Sequence, residues 1–314
     1  MSSPVSSQIS AHHAERVVFP GGAGELVALR HRPAADVTPR ATVLLVPGYT
    51  GSKEDFAPLI DPLAAAGFDV IAIDLPGQYE SPGLPDRTDH LPGPLGEVVA
   101  KLIEEVREDG RELILVGHSY GGLVARAAIL AGASVTGLVL FSSGPGELPE
   151  GTRRKILDAG EPILLEHGIE AAQRLREAQD TASPKSDEQP AELRKLLRDR
   201  FLASAPASLL GMADGLRHEP DRVAELATAL ARSATPALVV CGEDDDAWPV
   251  EAQREMARRL DVDFQLIESA GHSANTENPS ALLRVLSAAW EGWLPSADGA
   301  VDAATESRAI DPVS

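Results

Sequence analysis

Residues 117–122 read Gly-His-Ser-Tyr-Gly-Gly and directly follow the apolar run Leu113-Ile114-Leu115-Val116. A serine flanked by glycines, after a strand and before a helix starting near Leu123, fits a sharp strand-to-helix bend. Glycines let the chains pass closely, and the bend lifts the Ser119 hydroxyl off the sheet. It also sets the next backbone N–H groups at a helix N-terminus, where negative charge is stabilised. A hydroxyl presented this way is a candidate nucleophile. Near neutral pH it needs a base, and the base needs an orienting carboxylate.

His272 stands in Ser269-Ala270-Gly271-His272-Ser273, after the last apolar run and before a helix announced by Asn278-Pro279. A loop histidine at a strand's C-terminal end is where such a base belongs. His12 and His13 fall in the N-terminal tail, and His31, His90, His167 and His218 read as surface residues. His118 adjoins Ser119, but on a sharp turn its side chain points away, so it reads as structural. After the run Ala237–Cys241, Gly242-Glu243-Asp244-Asp245-Asp246-Ala247-Trp248-Pro249 offers four candidate carboxylates, Glu243, Asp244, Asp245 and Asp246. The run Val135–Phe141 ends instead in Ser142-Ser143-Gly144, with no carboxylate. Cys241 ends an apolar strand and reads as a buried small side chain.

Strand runs are expected at Glu15–Phe19, Glu25–Arg30, Ala41–Val46, Asp69–Asp74, Glu112–Val116, Val135–Phe141, Ala237–Cys241 and Asp263–Ile267. The first two flank Pro20-Gly21-Gly22 and read as an antiparallel hairpin. The later ones lack polar alternation, as strands covered on both faces do. Helical patterns separate them at Phe56–Ala66, Leu95–Glu108, Leu123–Ala131, Val250–Arg259 and Ala281–Trp293, which predicts a parallel sheet with helices on both faces. From 146 to 234 there is no convincing strand. Short helical patterns at Ile169–Ala178, Ala191–Leu202 and Arg222–Ala231 are broken by Pro162, Pro184, Pro190, Pro206 and Pro220. At about 90 residues this is far too long for an ordinary connection and reads as an inserted helical cap whose last helix returns to the core. The core is then 15–145 with 235–294. Residues 1–14 and 295–314, small and polar with no apolar stripe, read as disordered tails.

The chain has 314 residues, 43% of them apolar, enough for one large α/β domain with an insertion. With 28 Lys and Arg against 48 Asp and Glu, the net charge of −20 repels phosphate backbones and anionic membranes. No nucleic-acid or membrane partner is expected. A single cysteine excludes an internal disulfide and a four-cysteine metal site. The N-terminus lacks a secretory pattern, and no apolar run approaches a membrane span, so a cytoplasmic protein is expected.

At this point the chain resembles the α/β-hydrolase family, on the Gly-His-Ser-Tyr-Gly elbow and the Ser, Asp or Glu, His order of its candidate residues. The resemblance implies a mostly parallel eight-stranded sheet flanked by helices, with the cap at the family's usual insertion point. The family's Gly-Glu-x-Asp-x-x-x-Pro turn, laid on 242–249, selects Asp245. Pro47-Gly48-Tyr49 resembles the family's His-Gly loop, with Pro47 where histidine is common. By resemblance, the backbone N–H groups of Tyr49 and Tyr120 form the oxyanion hole, and the two tyrosine side chains line the acyl pocket. In Asp74-Leu75-Pro76-Gly77-Gln78-Tyr79-Glu80-Ser81, Gln78-Tyr79 replaces the usual His-Gly, a departure that bears on the pocket rim. The family then implies a serine hydrolase taking a small-molecule ester, thioester or related acyl compound through an acyl-enzyme on Ser119, with no cofactor and no metal. Carbon–carbon bond hydrolases, acyltransferases and cofactor-free peroxidase-like members share the Ser119, Asp245 and His272 set, and a non-catalytic ligand-binding member is the other class. Epoxide and haloalkane branches use an aspartate nucleophile, which serine at 119 disfavours.

Overall fold

The protein is described by a computed structural model covering residues 6–20, 24–107, 111–181 and 189–294. Its strands are β1 (Glu15–Phe19), β2 (Leu26–His31), β3 (Thr42–Val46), β4 (Asp69–Ile73), β5 (Leu113–His118), β6 (Gly137–Phe141), β7 (Ala237–Gly242) and β8 (Asp263–Ile267). They form one sheet of eight strands in the order β1-β2-β4-β3-β5-β6-β7-β8. β1, β2 and β4 pair antiparallel, and every pairing from β4 onward is parallel. The antiparallel β1–β2 pairing is as expected, while its Gly21-Gly22 turn lies outside the described residues.

The unbroken apolar runs follow from burial on both faces. Along β3, Leu44 and Val46 enter one core while Val43 and Leu45 enter the other, and β4, β5 and β7 divide their side chains the same way. Such strands have no polar face to expose. Edge strands β1 and β8 are instead largely exposed, and β1 alternates from Arg16 to Phe19.

The helices are α1 (Ala57–Ala65), α2 (Pro92–Val106), α3 (Tyr120–Leu130), α4 (Thr152–His167), α5 (Ile169–Thr181), α6 (Ala191–Ala203), α7 (Pro206–His218), α8 (Val223–Ser233), α9 (Val250–Leu260), α10 (Ala274–Glu277) and α11 (Pro279–Trp293). α2 buries Leu95, Val98, Val99, Leu102, Ile103 and Val106, a helical stripe. With α3, α8 and α9 it covers one face of the sheet, and α1 and α11 cover the other. The expected helix to Glu108 ends at Val106, and Glu108 lies outside the described residues.

Residues 146–234 carry α4 to α8 and, among the described residues, no strand. α8 returns to pack on α3 and α9. Leu164, Ala172, Phe201 and Leu209 of α4 to α7 make a small cluster of their own. Two of these helices were not legible in the sequence. Pro162 lies inside α4 instead of ending it, and Pro206 occupies the first turn of α7. A first-turn proline forfeits no hydrogen bond, since that N–H has no helical partner.

The expectation of a disordered N-terminal tail needs correction from Ser6 onward. Ser7 is buried, Gln8 Nε2 donates to Asp55 Oδ1 at 3.2 Å, and the His13 backbone N–H donates to Asp61 Oδ1 at 2.9 Å. Polar contacts seat this segment, so the lack of an apolar stripe misleads. Residues 1–5 and 295–314 lie outside the described residues.

Trp290 of α11 is fully buried and meets Phe68 edge to face, with ring centroids 5.2 Å apart. Its indole N–H has no hydrogen-bond partner among the described residues. The residue therefore contributes through volume and not through its polar atom. Trp290→Ala is expected to cost about 3–5 kcal/mol, and Trp290→Phe less than about 1.5 kcal/mol. Denaturant unfolding of the two variants measures the difference.

Candidate active site

Ser119 joins β5 to α3 with φ 56° and ψ −121°, a conformation that a non-glycine residue adopts only under constraint. The surrounding backbone supplies that constraint. Its N–H donates to Phe141 O at 2.8 Å, and its carbonyl accepts from Gly122 N at 2.9 Å. Gly121 is required because a Cβ there would lie 2.3 Å from Val46 O. Gly48 faces Ser119 from the loop after β3, and a Cβ on it would lie 2.9 Å from Ser119 Cβ.

Three side chains from separate loops meet here. His272 Nε2 lies 2.9 Å from Ser119 Oγ, and its Nδ1 lies 2.9 Å from Asp245 Oδ1. Asp245 also accepts from Ala247 N at 2.9 Å and from Gln253 Nε2 at 3.0 Å. Burial pushes its carboxyl up, but these donors, with His272 foremost, outweigh burial and hold it down at about 2. An ionised Asp245 takes the Nδ1–H of the imidazole. In the neutral ring, Nε2 is then the acceptor for the Ser119 hydroxyl.

Of the four candidate acids, Asp245 is the one that reaches His272. Glu243, Asp244 and Asp246 are exposed, with Asp246 paired to Arg153 at 2.6 Å. The acid turn is laced to the base loop by Glu243 N–H to Ile267 O and Asp244 N–H to Ala270 O, each 3.0 Å.

The expected donors divide into backbone and side chain. Tyr120 is the first residue of α3, where an N–H has no partner within the helix. Tyr49 follows Gly48 beside Ser119. The tyrosine side chains do not both line the pocket, which corrects the expectation. The Tyr120 hydroxyl, fully buried, turns away to donate to His90 O at 2.6 Å. Tyr49 does line the cavity, and burial pushes its phenol up to about 12. Gln78 is not at a rim. It is buried, accepts from Leu75 N at 3.0 Å and donates to Gly48 O at 2.7 Å.

Several supporting residues carried no clear sequence signal. His118 is buried, and burial lowers its imidazole to about 4, so neutral Nε2–H donates to His272 O at 2.9 Å. Gln253 joins Asp245 to Trp248 O. Asp55 is a junction. Arg200 of α6 reaches Oδ1 at 2.6 Å, Gln8 reaches the same oxygen, and Asn275 Nδ2 donates to the Asp55 carbonyl at 2.6 Å. Lys53, with 1% of its side chain exposed, contacts Asp74, Glu54 and Glu80 within 2.9 Å and ties the loop after β3 to the loop after β4. Among the histidines expected on the surface, His167 and His218 are exposed and His31 is half-buried against Asp61. His90 is fully buried, accepting from Leu84 N at 3.3 Å and contacting Asp86 O at 3.0 Å. Cys241 is buried as expected.

Ser119 and His272 open into a cavity of about 460 Å³. Leu148, Leu157, Leu164, Leu216 and Trp248 give it an apolar wall, while Asp55, Arg200 and Asn275 give it a polar one. Most of the apolar wall comes from 146–234. Among the described residues, no three His, Cys, Asp or Glu side chains are grouped to hold a metal ion, and no helix is long and apolar enough to cross a membrane.

A family model described as the alpha/beta hydrolase family matches residues 43–285. The 2-hydroxy-6-oxononadienedioate/2-hydroxy-6-oxononatrienedioate hydrolase of Cupriavidus pinatubonensis is 27% identical over 253 residues, 76% of this chain and 82% of that protein. The 2-succinyl-6-hydroxy-2,4-cyclohexadiene-1-carboxylate synthase of Salmonella newport is 26% identical over 263 residues, 81% of this chain and 94% of that one. A thermophilic esterase from Thermogutta terrifontis superposes with a TM-score of 0.69 at 22% identity, covering 90% of this chain and 100% of its own, a likeness of fold.

Because Asp245 is held below the ordinary carboxylate value, its ionisation stabilises the folded protein above pH ~3.9. That contribution is lost as the pH falls through about 2. Urea unfolding across acid pH should therefore show wild type more stable than Asp245→Asn by about 2 kcal/mol above pH ~4, the gap closing toward pH ~2.

Proposed function

The chain belongs to the alpha/beta hydrolase family, and on that premise we propose that it is a serine hydrolase that cleaves a carboxylic ester, or a thioester or related acyl compound, through an acyl-enzyme on Ser119. The observation that carries the reading is the pair of 2.9 Å contacts joining Ser119 Oγ, His272 and Asp245.

The chemistry follows from those contacts. His272 Nε2 takes the Ser119 proton as Oγ attacks the acyl carbon. Asp245 fixes the imidazole tautomer and stabilises the imidazolium that forms. The carbonyl oxygen becomes an oxyanion and is held by the N–H groups of Tyr49 and Tyr120, the second at the positive end of α3. Collapse expels the alcohol or thiol, protonated from His272. Water then repeats the cycle on the acyl-enzyme, leaving the acid and free Ser119. No cofactor takes part in these steps. Residues 146–234 serve as a cap whose apolar wall selects a small-molecule acyl substrate. The named activity of the Cupriavidus relative supports one second reading, cleavage of a carbon–carbon bond next to a ketone by the same three residues.

Fluorophosphonate labelling with p-nitrophenyl esters of graded chain length tests the proposal. Ser119→Ala should abolish labelling and lower turnover on the order of a thousandfold or more, with the protein still folded. A near wild-type rate in that variant would rule the nucleophile out. Asp245→Asn should lower kcat by roughly 10³–10⁴-fold, against modest effects of Asp244→Asn and Asp246→Asn. A wild-type protein inert to esters but active on a vinylogous diketone would select the carbon–carbon reading.

A further inference from the structure

We propose that Gln78 is a positioning residue that sets the orientation of the Gly48–Tyr49 peptide, and so aims the Tyr49 N–H at the oxyanion. The inference rests on the hydrolase reading above. Gly48 C=O and Tyr49 N–H belong to one planar trans peptide, so the two point in opposite directions. Fixing the oxygen fixes the direction of the N–H. A donor on the oxygen also polarises the same peptide and strengthens the N–H as a donor.

The Gly48 oxygen has two donors, Gly51 N at 3.0 Å and Gln78 Nε2 at 2.7 Å. Gly51 belongs to the same turn and moves with it. Gln78 comes from the loop after β4, and it alone of the two refers the peptide to the frame of the sheet. Its side chain and its backbone are both tied to Leu75. Oε1 accepts from Leu75 N at 3.0 Å, and the Gln78 backbone N–H donates to Leu75 O at 2.9 Å. Leu75 offers a donor and Gly48 an acceptor, so the amide has one orientation that satisfies both. The side chain is 2% exposed, which excludes competition from solvent. The two loops are also joined independently, by Lys53 N to Asp74 Oδ1 at 2.7 Å and Lys53 Nζ to Asp74 Oδ2 at 2.9 Å. Loss of the Gln78 contact therefore releases the peptide plane without releasing the loops.

The test compares wild type with Gln78→Leu and Gln78→Glu, each normalised to the fraction of sites that a fluorophosphonate labels. Glutamate keeps an oxygen for Leu75 N–H and, once ionised, offers Gly48 O no proton, so that variant is read above the pH at which its buried carboxyl ionises. Both variants should lose about 10- to 100-fold in kcat, less than outright loss of an oxyanion donor, with KM within roughly threefold. Inhibition by a trifluoromethyl ketone, whose adduct carries the oxyanion, should weaken in proportion to kcat/KM. The pH profile of kcat/KM should keep its shape in Gln78→Leu, because the His272–Asp245 pair is untouched, whereas Gln78→Glu adds the titration of a buried carboxyl. Gln78→Asn, which keeps an amide but shortens its reach, should fall between and serves if the other two do not fold. Wild-type kcat per labelled site in the variants, or a loss carried by KM alone, overturns the inference. Absence of labelling in wild type, or full activity in Ser119→Ala, defeats the hydrolase reading instead.

Discussion

A serine held at φ 56° stores backbone strain, and the rest of the site depends on three strands keeping it there. β5 delivers Ser119, β6 supplies the Phe141 carbonyl that takes its N–H, and β3 lays the Val46 and Pro47 carbonyls against Gly121. β3 and β6 are the two neighbours of β5 in the sheet, so strand order itself enforces the bend. Because β3 to β8 run parallel, their C-terminal loops gather at one edge. Asp245 after β7 and His272 after β8 arrive there by the same topology.

Charge at the site is arranged against the background of a strongly acidic chain. Burial alone would discharge Lys53, but Asp74 and Glu54, with Glu80, hold its ammonium protonated more firmly than usual. Arg126 and Arg200, both buried, contact Glu219 and Asp55 at 2.6 Å. Removing one partner would strand a charge away from water, the costly case. These cations join segments distant in sequence, so they act as fasteners between elements.

Much of this was legible in the residues. Burial on both faces leaves a continuous apolar run, and the eight runs became the eight strands with ends shifted by one or two residues, as at Glu25 and Glu112. Ser119 and His272 were legible because each combines a reactive side chain with a strand-to-loop junction. Asp245 was not separable by type from its acidic neighbours. What distinguishes it is orientation on a turn, which the family resemblance supplied and no local pattern encodes. α7 was obscured because proline marks helix starts as well as stops, and α4 because Pro162 lies within the helix instead of ending it. Gln253 and Asn275 were invisible, and Gln78 showed only as a departure from the family loop, since an amide's importance lies in which two distant groups it bridges.

The Asp55 junction bears on how the protein can be trimmed. Gln8, in the segment before β1 that carries no strand or helix, shares a carboxylate with Arg200 and lines the cavity beside Ser119. A boundary drawn at Glu15, where β1 begins, looks harmless by strand and helix alone. It would remove part of the cavity wall and leave Asp55 Oδ1 with Arg200 but without Gln8. The shortest piece that keeps the sheet intact is thus not the shortest piece that keeps the cavity intact.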